Sequence, residues 1–138
     1  MAYPKITLAD VFQARQTIAP YLSPTALYSY HGLNALLANQ TYIKHENHQP
    51  VGAFKVRGGV NFIAQLSIEE RKRGVITASS GNHGQSLAFG SKLFGVRATI
   101  AMPEHANPAK VEAIRGLGAE IIFHGCDFDD AREYAEAE

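Results

Sequence analysis

The chain has 138 residues, 46% of them apolar and 19% charged, long enough for a buried core and ordinary for a globular protein. Thirteen Lys and Arg balance thirteen Asp and Glu, so no net charge marks nucleic acid or an anionic membrane surface as a partner. No apolar run approaches a membrane span, Met1 to Lys5 lacks a signal-peptide pattern, and the single Cys126 excludes an internal disulfide and fits a reducing cytoplasm.

Thr7 to Asp10 reads as a capping box, and Val11, Ala14 and Ile18 continue it as a helical stripe ended by Pro20 and Pro24. Ser23 to Leu27 reads as an extended connector, Tyr42 to Glu46 as a short strand, and Asn47 to Pro50 as a polar break. Phe54, Val60, Phe62, Ile63 and Leu66 then predict a largely buried helix. Ser67 to Glu70 is a second capping box, opening a short basic helix that Gly74 closes. Val75 to Ser79 is a continuous apolar run, the type buried on both faces of a parallel sheet. A helix from Asn82 to Phe94 follows, closed by Gly95, and Ala98 to Met102 is the next strand. Asn107 as cap and Pro108 at the first helical position open a helix to Leu117, with Gly118 beyond it. Glu120 to Phe123 is a third strand, and Asp127 caps a last acidic helix to Glu136.

Strand starts near Val75, Ala98 and Glu120 recur almost evenly, the rhythm of successive βα units. The expected class is α/β, an open parallel sheet with flanking helices and right-handed crossovers. The chain closes on Glu136-Ala137-Glu138 without a helix stop signal, and the expectation is a chain cut within a larger one.

Two segments carry chemistry. Ser79-Ser80-Gly81-Asn82-His83-Gly84-Gln85 lies between a strand and a helix, where ligands of open α/β sheets bind. Gly81 permits close backbone approach, Asn82 can cap the helix, and the exposed N–H groups attract an anion, with the Ser79 and Ser80 hydroxyls as further donors. Simple helix capping would need only one of these residues. The other segment is Ala53-Phe54-Lys55-Val56-Arg57-Gly58-Gly59. A lysine becomes a nucleophile when desolvation or a cationic neighbour lowers its pKa; Phe54 and Val56 could supply the first, Arg57 and a helix N-terminus the second. Taken alone, Lys55 fits a snorkelling lysine at a helix edge better. His45 and His48 lack the acidic or thiol company of a metal site, so no metal is expected. Cys126 reads as a partly buried spectator, Asp127, Asp129 and Asp130 as helix-start charge, and Tyr28, Tyr30 and His31 as packing residues.

Together the two segments resemble the fold-type II pyridoxal-phosphate enzymes, in their serine/threonine dehydratase and serine racemase branch. That family carries its Schiff-base lysine in Ser-Phe-Lys-x-Arg-Gly-Ala, read here as Ala53 to Gly59, and its Ser-Ser-Gly-Asn-His-Gly-Gln is present in full from Ser79 to Gln85. Met102-Pro103-Glu104, Pro108, Lys110-Val111 and Gly118-Ala119-Glu120 look like the segment that follows, so the resemblance runs from about Ser23 to the end. His83 stands where cysteine synthases usually carry threonine, and Val56 where threonine synthases usually carry aspartate, which favours the dehydratase branch. Ala53 and Gly59 depart from the pattern, small residue for small residue.

The resemblance implies pyridoxal 5'-phosphate bound covalently to Lys55, which is also the base for the substrate's α-hydrogen. It implies Phe54 lining the cofactor pocket and Asn82 bonding the cofactor's ring oxygen. Ser79, Gly81, Asn82 and His83 would hold the substrate carboxylate. Ser80 would lie on the opposite face, where a racemase uses a second acid/base. The implied reaction is dehydration and deamination of L-threonine or L-serine to a 2-oxo acid and ammonia. Serine racemase, 3-hydroxyaspartate ammonia-lyase and a non-catalytic truncated product are the alternatives. Residues 1–50 would open a large cofactor domain and 51–138 form most of a small one, in a cytoplasmic homo-oligomer. The family's glycine-rich phosphate loop is not among these residues, so the chain by itself is expected to bind the cofactor poorly and turn over little.

Overall fold

A computed structural model describes residues 5–138, so the reading of the first four residues lies outside it. Helix α1 (Leu8–Ile18) starts where the capping box predicts: the Thr7 hydroxyl accepts from the Asp10 N–H at 3.3 Å, and the Thr7 N–H donates to the Asp10 carboxylate at 2.7 Å. Strand β1 (Leu27–Ser29), helix α2 (His31–Leu37) and strand β2 (Tyr42–Lys44) follow. β1 and β2 pair antiparallel with Leu27 opposite Lys44, so Leu27 belongs to a strand rather than to a plain connector. Helix α2 had no clear signal: it is short and uncapped by a side chain, and its Leu36 is 80% exposed.

Beyond a short 3-10 turn at Glu46–His48 come α3 (Val56–Ala64), α4 (Ile68–Arg73), β3 (Val75–Ala78), α5 (Asn82–Phe94), β4 (Ala98–Met102), α6 (Pro108–Gly116), β5 (Glu120–Phe123) and α7 (Phe128–Ala137). The last three strands form a parallel sheet in the order β3-β4-β5, with Val75 opposite Ala98 and Thr99 opposite Glu120. Central β4 buries Ala98, Ile100, Ala101 and Met102. β3 is only half-buried along its length, against the expectation of burial on both faces. The physical reason is its place: among the described residues it is an edge strand, paired with β4 alone.

Ile63 of α3, Leu87 and Ala88 of α5, Ile100 and Met102 of β4, and Val111 and Ile114 of α6 form one apolar core. Each large side chain buried there contributes about 1.5–3 kcal/mol. Ile18 and Leu22 pack on Val56 and Val60 in a second, smaller core that ties α1 to α3.

The two cores meet at the crossing of α3 and α5. There the backbones approach closely, with no side chain larger than that of Ser86 between them. A Cβ on Gly90 would lie 2.8 Å from the Gly59 carbonyl oxygen, and a Cβ on Gly59 would overlap the Ser86 carbonyl and hydroxyl oxygens. Alanine favours a helix over glycine by roughly 0.5–1 kcal/mol, whereas overpacking a rigid contact costs about 1–3 kcal/mol. The clash wins. Gly90→Ala is therefore expected to lower the unfolding free energy by about 1–2 kcal/mol in urea denaturation, and an unchanged midpoint would contradict this packing.

Candidate active site

Lys55 stands one residue ahead of α3 with its backbone already helical, at φ −57° and ψ −25°. It is exposed and lines a cleft of about 590 Å³ with Phe54, Arg57, Gly58, Gly59, Phe62, Ile76, Thr77, His83 and Leu87. Its ammonium lies 6.0 Å from the centre of the Phe54 ring, at the edge of cation–π range. The expected enclosure of this amine by its neighbours is not met. Val56 is turned wholly into the small core, and Phe54 is 62% exposed.

Nor does Arg57 act as a free cationic neighbour. Its guanidinium forks onto Glu46, with Nε to Oε2 and Nη2 to Oε1 both at 2.8 Å. The Thr25 hydroxyl donates to the same carboxylate, and Lys44 Nζ donates to the Thr25 carbonyl at 2.6 Å. This pair ties the segment after β2 to the first turn of α3, directly behind Lys55. The hydrogen bonds from Arg57 lower the Glu46 pKa from 4.5 to about 2, against the opposing effect of partial burial.

The turn from Ser79 to Gln85 runs from β3 into α5. Ser79 is buried, and its Oγ accepts from the N–H of Gly81 at 3.2 Å and of Gly84 at 2.9 Å. Asn82 does not cap the helix: Gly81 is the cap residue, Asn82 is the first helical residue, and the Ser79 hydroxyl has taken the third N–H of the helix. The Asn82 side chain has no hydrogen-bond partner among the described residues. The N–H groups of Ser80, Asn82 and His83 likewise have no acceptor among them. They stand at the positive end of a 13-residue helix, the arrangement that attracts an anion.

His83 Nε2 lies 3.2 Å from the Thr77 hydroxyl. Burial first, and then the positive charge of Lys55, push its pKa below the ordinary 6.5. Phe54, Lys55 and His83 thus line one cleft. Ser79 is turned into the loop, and exposed Ser80, with Gly81 and Asn82, stands on the same turn without lining the cleft.

Three contributors were not singled out from sequence. Thr77 carried a faint signal, a lone hydroxyl in an apolar strand. Glu46 and Ser86 carried none, because their partners are remote in the chain. Elsewhere, His45 stacks on His48 with ring centres 5.2 Å apart and bonds the Tyr30 hydroxyl at 2.7 Å. Cys126 is exposed rather than partly buried, because it sits in the loop before α7, where its N–H bonds Asp130 at 2.7 Å. Among the described residues, no three His, Cys, Asp or Glu side chains converge as a metal site, and no helix is long and apolar enough to cross a membrane.

Two measurements follow from this geometry. Since the folded-state pKa of Glu46 is depressed, its contribution is complete above pH about 4.5 and is lost as pH falls through about 2. Glu46→Gln should therefore cost on the order of 1 kcal/mol near neutral pH and flatten that acid limb in pH-dependent denaturation. In Lys55→Met the charge that opposes His83 protonation is gone, so the His83 midpoint in an NMR titration should move upward; an unmoved midpoint would separate the two residues.

The model of the pyridoxal-phosphate dependent enzyme family matches residues 18–138. Over 130 residues the chain is 45% identical to the L-threonine ammonia-lyase of Thermotoga maritima, covering 94% of this chain and 32% of that protein. Over 127 residues it is 48% identical to the L-threo-3-hydroxyaspartate ammonia-lyase of Saccharomyces cerevisiae, covering 92% of this chain and 39% of that one. Serine racemase from Dictyostelium discoideum superposes with a TM-score of 0.88 at 38% identity, over 96% of this chain and 42% of the racemase. Processed threonine deaminase isoform 2 from Solanum lycopersicum superposes at 0.83 and 34% identity, over 94% of this chain and 37% of that one. The chain therefore spans between 32% and 42% of the length of these relatives. The family model covers most of the chain, and the chain belongs to the pyridoxal-phosphate dependent enzyme family.

Proposed function

We propose that the whole protein is a pyridoxal-phosphate-dependent lyase. It would convert a hydroxy amino acid such as L-threonine or L-serine to a 2-oxo acid and ammonia. The observation that carries this reading is Lys55 sharing a cleft with His83 at the N-terminus of α5, beside three backbone N–H groups with no acceptor among the described residues. The names of the relatives, L-threonine ammonia-lyase and L-threo-3-hydroxyaspartate ammonia-lyase, support the substrate class.

The residues present fit the cofactor. The cleft of about 590 Å³ lies within the range of small-molecule sites, and the amine that would take an aldehyde is exposed to it. Lys55 would hold the aldehyde, Phe54 would pack beside the ring, and the unpartnered Asn82 amide would meet the ring oxygen. When bound, pyridoxal phosphate supplies an electron sink for the substrate's α-carbon. The Asn82 and His83 N–H groups would bind the substrate carboxylate at the positive end of the helix. The Ser79 hydroxyl accepts two N–H bonds inside the loop and so shapes the turn that would present these N–H groups to the carboxylate. Gly81 lets the backbone approach it. Desolvation and the Lys55 charge lower the His83 pKa, which favours its neutral form. Lys55 Nζ would take the α-proton and pass it to the β-hydroxyl, which leaves as water; a second water would then hydrolyse the released enamine to ammonia and the 2-oxo acid.

A second reading has one specific observation behind it. Ser80 is exposed, and its hydroxyl has no hydrogen-bond partner among the described residues, which leaves it available as the opposite-face acid/base of a racemase. The likeness to serine racemase supports the same reading. We also infer that the segment to Pro50 belongs to a larger cofactor domain and 51–138 to a smaller one, as the two separate sheets support. Exposed Leu36 and Leu37 support a homo-oligomer or further domain that covers them, and an unpaired Cys126 supports a cytoplasmic location.

The holoenzyme should release ammonia and 2-oxo acid in equal amounts from L-threonine or L-serine, and Lys55→Ala should lower that rate by on the order of a thousandfold or more. Inverted amino acid without ammonia would establish the racemase instead. Full activity in Lys55→Ala would move the assignment to another lysine.

A further inference from the structure

Lys55 would have to be held at a fixed height against the helix that carries the carboxylate cradle, yet it sits in a loop with an exposed side chain. One contact supplies that constraint. The Ser86 hydroxyl, on the second turn of α5, donates to the Lys55 backbone carbonyl at 2.6 Å across 31 residues of sequence. The same carbonyl accepts the Gly59 N–H at 3.2 Å, so it is bonded both to its own helix and to the opposing one. Ser86 is 1% exposed, so water does not compete for this hydrogen bond.

The surroundings are shaped for it. A Cβ on Gly59 would overlap the Ser86 hydroxyl, so the absence of that Cβ opens the notch the hydroxyl occupies. A buried serine inside a helix usually returns its proton to the carbonyl four residues back. Ser86 does not; its proton goes to Lys55. Ser91, equally buried on the same helix, has no partner for its hydroxyl among the described residues, so burial on α5 does not by itself impose such a bond.

We propose that Ser86 is a positioning residue for Lys55, locking the lysine's backbone to helix α5 so that amine and carboxylate cradle keep one relative placement. The proposal rests on Lys55 being the lysine that takes pyridoxal phosphate. It concerns geometry before any turnover, and can be read without it. The whole protein is incubated with pyridoxal 5'-phosphate, quenched at intervals with borohydride, and the modified lysines are quantified by peptide mass spectrometry. The other five lysines within residues 1–138 are the internal control in the same tube.

In wild type, Lys55 should be modified faster than the other five. In Ser86→Ala the Lys55 rate should fall on the order of fivefold, the equivalent of one ordinary hydrogen bond, while the other lysines keep theirs. Ser86→Cys, of similar size but a weaker donor, should fall between the two. It also serves as the deciding variant if Ser86→Ala does not fold by circular dichroism. An unchanged Lys55 rate in a folded Ser86 variant overturns the positioning role and leaves the Lys55 assignment standing. A uniform change at all lysines also overturns it, since that reports general loosening. No preference for Lys55 in wild type overturns both.

Discussion

The close crossing of α3 on α5 is the constraint from which the rest of the structure follows. Gly59, Ser86 and Gly90 bring two helix backbones close together, with no side chain at the crossing larger than that of Ser86. On one side of the crossing, Val56 and Val60 pack against α1; on the other, Ile63 joins Leu87, Ile100 and Ile114 over the parallel sheet. Both cores are therefore built around the same contact. So is the cleft, since α3 begins just after Lys55 and α5 begins just after Gly81. Two chain segments that meet nowhere in sequence face one space because their helices cannot slide apart without opening both cores.

Charge is distributed around that cleft to leave it locally positive in a chain of zero net charge. Arg57, on the lysine's own segment, is matched by Glu46 in a two-pronged pair, and so serves to anchor the first turn of α3. Lys55 has no such partner among the described residues; its charge is felt by His83, which desolvation already disfavours as a cation. The remaining positive character comes from backbone N–H groups at the start of α5, which cost no side-chain entropy to hold in place. Such a site favours a small anionic ligand while presenting one amine to it.

Much of this was legible residue by residue. The capping boxes at Thr7 and Ser67 and the Asn107 and Asp127 caps are local devices, and each helix start they predict is where it stands, as is the Gly95 end of α5. The βα rhythm likewise anticipated β3, β4 and β5 in a parallel sheet. The misreadings were of things that depend on partners. β3 is apolar enough for a central strand and lies at an edge of the described sheet. β1 exists only because β2 pairs with it. Asn82 is a good cap by composition, but Ser79, buried two residues before the cap position, reaches the helix N–H groups first.

The sequence by itself determined the chemistry-bearing types and their order: a lysine before a helix, then a serine- and glycine-bearing turn at the start of the next. Those are properties of adjacent residues, and short-range sterics and hydrogen bonding decide them. Only the tertiary structure decided how that lysine is held and what surrounds it. Arg57 is bound to Glu46, His83 to Thr77, and the Lys55 backbone to Ser86, over separations that no local pattern encodes. These contacts form because apolar burial forces α3 onto α5 at backbone distance, and the polar groups trapped near that crossing must then satisfy one another.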